Sequence, residues 1–422
     1  MQDLDVRNQE CWAAAPSVAH VPRTARRCLI ACAAVVAALM LCSCVRKITV
    51  APIADRTSNA IASLAPRTTA RLPVITYHRI TTEVTSQMAV SPTLFTRHMQ
   101  YLKDHGYTPI TLDDWYMAVA YGFKLPEKPV AITFDDAWAD QYTHALPILK
   151  RFGFRATFYA YTTIIGSKAA IPWDRLRRMA EQGHCIGCHT ATHGDLARRV
   201  KGETDAAYEE RLDREIADAR AVIEAHLGCQ ILHFCYPYGY YNTNVVARLR
   251  RAQYRTAVTV NPMVNSEQTP LLQLGRVVIG SWVTPEVLGR LISQQPFAIA
   301  GTLPGDGVVL THETTQIAAV LPLDTPVLPG SLKMKWNWKW APSAWNPSTR
   351  TVASVFTAPL KPGIYTAQVH GWDAGSNHYV YAWEFQQGDI RELDTPDLEM
   401  MPEAEPEPDL VLLTPPSVVS HK

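Results

Sequence analysis

The sequence predicts an α/β fold, a parallel sheet covered by helices as a β/α barrel or a doubly wound layer, followed by a smaller all-β sandwich. Three observations carry that expectation. From residue 73 to about residue 292, short apolar runs alternate with stretches of helical periodicity, which demands parallel strands with helices packed outside. After residue 300 the helical pattern gives way to short alternating strands broken by turn residues. The chain, with 422 residues of which 47% are hydrophobic, exceeds a single domain of about 150 residues and can bury a large core.

The elements follow in order. Pro73-Val74-Ile75-Thr76-Tyr77 is an apolar strand, and Ser91-Pro92 opens a helix with Phe95, Met99 and Leu102 on one face and Gly106 at its end. Thr111-Leu112-Asp113-Asp114 has the spacing of a capping box. Val130 to Phe134 is a buried strand, residues 142–152 a helix closed by Gly153, and residues 156–159 a strand. A helix over 173–182, a strand over 185–188, a helix over 204–227 and a strand over 231–234 continue the alternation. A helix over 242–251 and strands over 256–260 and 276–279 complete it, giving a first domain over 73–298. The sandwich, over 299–390, is expected to contain strands at 308–310, 317–320, 332–336, 351–356, 363–369 and 379–383. Its Trp336, Trp338 and Trp340 alternate and would share one face of a strand, with Trp345 nearby. Residues 391–422 are rich in Pro and acidic residues and cannot build a core.

The N-terminus has the layout of an export signal. Arg23, Arg26 and Arg27 precede an uncharged apolar run from Cys28 to Val45. Leu41-Cys42-Ser43-Cys44 resembles a bacterial lipobox, which implies that residues 1–43 are a lipoprotein-type signal segment, that Cys44 is the lipidation site, and that residues 44–72 are a tether. An uncleaved membrane helix is the alternative. Both readings place the rest of the chain outside the cytoplasm, on the periplasmic side of the envelope, where Cys185, Cys188, Cys229 and Cys235 are permitted disulfides in any of three pairings. With 40 Lys+Arg against 39 Asp+Glu and no dense basic stripe, nucleic acid is excluded as an expected partner.

Two elements carry chemistry. Thr133-Phe134-Asp135-Asp136-Ala137 sets adjacent carboxylates just after a strand, where a parallel α/β fold presents its functional loops. His189-Thr190-Ala191-Thr192-His193 follows another strand, and two imidazoles four apart with one carboxylate make a three-ligand metal centre with an open position. These motifs, with Asp195-Leu196 and Tyr236-Pro237-Tyr238-Gly239 in that order, resemble those of the polysaccharide deacetylases, carbohydrate esterase family four. The resemblance spans residues 73 to about 292 and implies a distorted β/α barrel.

By that resemblance Asp135 is the general base, Asp136, His189 and His193 bind one divalent metal, and the backbone N–H of Tyr238 faces the oxyanion. Zn²⁺ suits the ligand set best, with Co²⁺ or Ni²⁺ as alternatives. The acid is expected to be His78, in Ile75-Thr76-Tyr77-His78, by resemblance to the branch that deacetylates poly-β-1,6-N-acetylglucosamine; His312, in Val308-Val309-Leu310-Thr311-His312, is the competitor. Trp138, Tyr236, Pro237 and Tyr238, with Tyr240 and Tyr241, are candidates for a sugar groove. Leu360-Lys361-Pro362-Gly363-Ile364-Tyr365 followed by Asp373-Ala374-Gly375-Ser376 resembles the late hairpin of a bacterial immunoglobulin-like domain.

Two departures stand out. Ala137 replaces the usual glycine after the paired aspartates, and Cys235 stands where many members carry the arginine that orients the base, leaving that partner unidentified. Cys185-Ile186-Gly187-Cys188-His189 also matches a c-type haem attachment pattern, or part of a structural zinc site. The expected function is metal-dependent removal of N-acetyl groups from an N-acetylglucosamine polymer by an enzyme held at the membrane through a lipid anchor. The alternative is a non-catalytic, envelope-anchored carbohydrate-binding protein.

Overall fold

The computed structural model describes residues 70–388. Cys44, the signal segment 1–43, the tether up to residue 69 and the tail 391–422 lie outside the described residues. Among those described, no helix is long and apolar enough to cross a membrane. Arg71 and Leu72, read from sequence as tether, instead pair antiparallel with Ser266 and Asn265.

The first part is built on a curled, all-parallel sheet. Its strands are β1 (Val74–Tyr77), β2 (Thr108–Ile110), β3 (Pro129–Phe134), β4 (Thr157–Ala160), β5 (Cys185–Cys188), β6 (His233–Cys235), β7 (Thr256–Val258) and β8 (Val277–Val278). The order across the sheet is β7-β6-β5-β4-β3-β1-β8, with β2 also pairing with β3. β1 and β2 both pair with β3, consecutive strands then lie side by side from β3 to β7, and β8 returns to β1, the arrangement of a barrel left unclosed between β7 and β8.

The strands read as unbroken apolar runs because helices cover the sheet, and β1 and β3 are buried at every residue. The helices are α1 (Pro92–Asp104), α2 (Leu112–Tyr121), α3 (Leu146–Phe152), α4 (Trp173–Glu181), α5 (Asp205–Asp213), α6 (Ala219–Leu227), α7 (Thr243–Arg251) and α8 (Pro285–Ser293). Their starts follow local rules. The Ser91 hydroxyl accepts from the Leu94 N–H, and Thr111 and Asp114 form the reciprocal capping box read from sequence. Two helices are less regular than their sequences suggest. A π-helical turn, Gln141–Ala145, precedes α3, and another, Arg214–Asp218, joins α5 to α6, in a stretch expected to be one continuous helix.

The second part is all-β. Its strands are β9 (Gln295–Pro296), β10 (Gly301–Leu303), β11 (Val309–Leu310), β12 (Gln316–Val320), β13 (Lys333–Trp336), β14 (Lys339–Ala341), β15 (Ala344–Asn346), β16 (Thr351–Val355), β17 (Gly363–Trp372) and β18 (His378–Gln387). One sheet has the order β9-β18-β17-β13-β14, with β11 also on β18, and the other β10-β12-β16-β15. Ile317, Ala319 and Val352 of the four-stranded sheet pack with Met334, Ala367, Val369 and Trp383 of the larger one in a shared core. The sandwich thus begins at Gln295, four residues before the boundary read from sequence.

The tryptophan reading is corrected. Asn337 and Trp338, both at positive φ, turn the chain into a hairpin, so Trp336 and Trp340 lie on different strands. Trp336 packs edge-on against Phe356, whereas Trp340 shares the other sheet face with Lys335, its cross-strand partner.

The sandwich is fastened to the loop after β6. The Tyr241 N–H donates to Glu384 Oε1 at 2.8 Å, the Thr243 N–H to the Gly307 carbonyl at 2.9 Å, and the Tyr241 hydroxyl to Asp306.

Candidate active site

The loops leaving β1, β3, β5 and β6 converge at one end of the sheet. Directly after β3 the chain turns through Asp136 and Ala137, with φ of 71° and 52°. That region favours glycine, so Ala137 holds the turn at a strain glycine would not carry; its methyl is fully buried. The turn is held from behind by Gln141, in the first π-helical turn, whose Nε2 donates to the carbonyls of His78 (2.7 Å) and Asp135 (2.5 Å). One side chain therefore locks the ends of β1 and β3 together.

Asp135 is 2% exposed and meets Arg276, itself 1% exposed, in a two-pronged pair: Nη1 to Oδ1 at 2.7 Å and Nη2 to Oδ2 at 2.8 Å. Burial by itself raises this carboxyl's pKa, but the Arg276 charge, then His78, hold it well below the usual carboxylate range. Arg276 is the partner of Asp135 that the sequence left unidentified. It enters from the residue before β8, donates through Nε to the Thr259 carbonyl at 2.7 Å, and lies 3.2 Å from the Cys235 sulfur. The only sequence signal for it was a lone arginine at the head of an otherwise apolar strand.

Asp136 faces the other way. Its Oδ2 accepts from Trp138 Nε1 at 3.0 Å, while its Oδ1 is a buried oxygen with no hydrogen-bond partner. That orphan lies 3.6 Å from His189 Nε2 and 3.4 Å from His193 Nε2. His189 Nδ1 bonds the Cys235 carbonyl at 2.8 Å, and since a carbonyl only accepts, Nδ1 carries the proton and Nε2 presents a lone pair to Asp136. Burial, reinforced by His193, pushes the His189 pKa down to about 4, so the imidazole is neutral, the ligand form.

The loop carrying His193 is equally constrained. Thr190 (φ 71°) accepts the His193 N–H on its hydroxyl at 2.9 Å, and Glu215 accepts from the N–H groups of Ala191 and Thr192 at 2.9 Å and from the Thr192 hydroxyl at 2.8 Å. Glu215 comes from the second π-helical turn, which sequence did not announce.

Asp136, His189 and His193 fit a divalent metal: an unpartnered carboxylate oxygen and two imidazole nitrogens at ligand spacing. Asp135, His189 and Cys235 also lie close, but both Asp135 oxygens are already engaged by Arg276.

The other sequence candidates divide. His78 is beside the pair, Nε2 3.8 Å from Asp135 Oδ2, with its Nδ1 buried and unpartnered. His312 is exposed, beyond the end of β11 rather than within a strand, and its carbonyl accepts from Gln387 in the sandwich. Tyr238 (φ 60°) sits on the tight turn after β6, its ring 4.9 Å from His193 in an edge-on contact, and is half-buried like Tyr240. Tyr236 and Pro237 do not line a groove. Tyr236 is fully buried with its hydroxyl on the Leu272 carbonyl, and Pro237 is buried beneath the turn; Tyr241 is likewise core. Cys185 to Cys188 is a strand, so those thiols, three residues apart, point to opposite faces and make no haem or shared zinc site.

Residues 123–257, from the end of α2 to within β7, match the family profile described as polysaccharide deacetylase. Over those residues the chain is similar to the polysaccharide deacetylases. YxkH of Bacillus subtilis, whose name assigns it to the polysaccharide deacetylases, is 29% identical over 238 residues, covering 56% of this chain and 81% of its own. The poly-β-1,6-N-acetyl-D-glucosamine N-deacetylase of Escherichia coli is 21% identical over 284 residues, 58% of this chain and 42% of the relative, so the chain spans less than half of that protein. Among solved structures, the Streptococcus pyogenes deacetylase PplD in complex with acetate aligns with a TM-score of 0.49 and 28% identity over 53% of this chain and 99% of that one. Within the deacetylase part, the family profile spans all of Asp135, Asp136, His189, His193 and Tyr238 but ends short of Arg276, and His78 precedes it.

Proposed function

We propose that the protein is a metal-dependent N-deacetylase that hydrolyses the acetamide groups of an N-acetylglucosamine polymer outside the cytoplasm, held at the membrane through a lipid on Cys44. The observation that carries this reading is the buried, unpartnered Asp136 Oδ1 between two imidazole Nε2 atoms, directly beside a carboxylate that Arg276 keeps ionised. When bound by Asp136, His189 and His193, a divalent ion, Zn²⁺ before Co²⁺ or Ni²⁺, supplies Lewis-acid polarisation of the acetamide carbonyl and acidifies water.

The side chains divide the remaining work. Asp135 accepts a proton from the attacking water, whose oxygen adds to the acetyl carbon. The Tyr238 N–H stabilises the oxyanion that forms there. The C–N bond then breaks, His78 delivers a proton to the departing amine nitrogen, and acetate and a free amino sugar result. Trp138 and Gln141 orient Asp136 and the two strand ends, and Tyr238 and Tyr240 offer half-exposed rings for a sugar to stack on. The sandwich is read as immunoglobulin-like on its sequence pattern and its two facing sheets.

Acetate release from N-acetylglucosamine oligomers by the full chain tests this directly. Release abolished by chelation and restored by Zn²⁺ or Co²⁺ is expected. A chain that holds stoichiometric metal yet releases no acetate from β-1,4 or β-1,6 oligomers would overturn the substrate assignment, and one that binds no metal would overturn the mechanism.

A further inference from the structure

A second group of donor atoms lies at the opposite end of the same strands. Cys185 opens β5, His233 opens β6, and Asp113 stands in the first turn of α2, whereas the deacetylase residues follow the strand ends, on the order of 10 Å away along β5. One donor atom from each, a thiol sulfur, an imidazole nitrogen and a carboxylate oxygen, lies within 4.8 Å of the others. We propose that Asp113, Cys185 and His233 form a second metal site, selective for a Zn²⁺-class ion, that clamps the start of α2 to the starts of β5 and β6.

The imidazole supplies an independent sign of a ligand. His233 is 1% exposed, and its Nε2, aimed at the other two groups, is a buried nitrogen without a hydrogen-bond partner. Its Nδ1 is taken by the Thr256 hydroxyl at 2.8 Å, the outer contact that fixes the ring of a metal-binding histidine. The geometry matches as well. His233 Nε2 and Asp113 Oδ1 are 3.3 Å apart, close to the 3.4 Å and 3.6 Å at the Asp136 centre. Two ligands on a tetrahedral ion with bonds of about 2.0–2.1 Å are separated by roughly this distance.

Arg255 Nη1, 3.0 Å from Asp113 Oδ1, orients the carboxylate from outside the donor set. One sulfur, one nitrogen and one oxygen donor suit Zn²⁺ or Co²⁺ and disfavour Ca²⁺ and Mg²⁺, which take oxygen ligands. On binding, the Cys185 thiol and His233 each release any proton they hold, and no bond other than those to the ion is made or broken.

Cobalt separates the two sites by spectroscopy, without reference to deacetylation, because only the new site has a thiolate. The full chain loaded with Co²⁺ is expected to bind two ions and to show a thiolate-to-cobalt charge-transfer band in the near ultraviolet. Cys185→Ser should lose that band and one ion per chain, while His193→Ala should lose the other ion and keep the band; Cys235→Ser should keep both. Asp113→Asn, a half-exposed change that leaves the core intact, should weaken the band's Co²⁺ titration at least ten-fold, which guards against a Cys185 variant that fails to fold. A band indifferent to Cys185→Ser, a single ion in both the parent and that variant, or a Cys185–Cys229 disulfide in the chain as isolated would overturn the proposal.

Discussion

Where the strands of the parallel sheet end, Asp136, Ala137, Thr190, His193 and Tyr238 adopt positive φ without being glycine; where the strands begin, Asp113, Cys185 and His233 sit on ordinary helix and strand backbone. Each such turn is disfavoured by about 1–3 kcal/mol and persists only because surrounding contacts over-determine it. At the strand ends those contacts are named side chains: Gln141 behind the aspartates, Glu215 behind the histidine loop, Arg276 behind Asp135. The difference teaches that one end spends stability on aiming its donors, while the other gathers donors without local strain. Substitutions at the strand ends should therefore be read in turnover, and those at the strand starts in metal content and stability.

The largest effect tests the first half of that statement. Asp135→Asn should reduce kcat by about 10²–10⁴-fold with metal content unchanged, whereas His193→Ala should lose metal and turnover together. Equal metal loss in both would erase the division between base and ligand. His78→Ala should also lower kcat, by about 10²-fold, with KM nearly unchanged, and His312→Ala should leave both alone; the reverse pattern would move the acid to the sandwich.

Arg276 is where the strand-end region also carries stability. In Arg276→Gln the buried Asp135 carboxylate loses its cation, which should destabilise the fold by about 3–5 kcal/mol in chemical denaturation. The sign of the pH effect follows from the depressed carboxyl. In the parent the pair stabilises the fold above the ordinary carboxylate range, and that contribution is lost as pH falls through the depressed folded value. In the variant the acidic limb of the activity profile should move to higher pH, because Asp135 then accepts its proton more readily; an unmoved limb would detach Arg276 from the base. Glu215→Gln should be milder, about 1–3 kcal/mol, with metal affinity at the Asp136 centre lowered roughly ten-fold.

Much of this was legible in the chain. The alternation of strand and helix showed through because buried parallel strands are solid apolar runs, and the candidate metal triad showed through because its donors fall in two short motifs, after β3 and after β5. Arg276 did not, because it meets Asp135 across 141 residues and nothing local marks the contact. Glu215 was hidden by a π-helical turn that leaves the helical pattern of 204–227 intact. Tyr236 and Pro237 were misread as groove because Tyr236, just past the strand, turns into the core and Pro237 opens the short turn buried beneath it, so that Tyr238 is the first residue to emerge.

The smallest predicted effect contrasts Asp135 with a carboxylate of the sandwich. Asp306, half-buried as a residue, has its carboxyl shielded against Tyr241, Gln273 and the Glu384 N–H, and burial pushes its pKa up to about 6. A raised folded pKa means that stability is lost as pH rises from the usual carboxylate range through about 6. Asp306→Asn should therefore raise the melting temperature by a few degrees at pH 8 and scarcely at pH 3. An equal gain at both values would show that Asp306, like Asp135, is kept ionised by its surroundings.

The bonds from Glu384 and Gly307 to Tyr241 and Thr243 place the sandwich in the same loop that supplies Tyr238. The boundary near residue 298 is therefore a change of architecture and not a seam along which the protein can be cut. Any recombination of this scaffold with a different C-terminal module would have to transplant Tyr241, Asp306 and Glu384 as one unit, much as a keystone travels with the two stones that it locks.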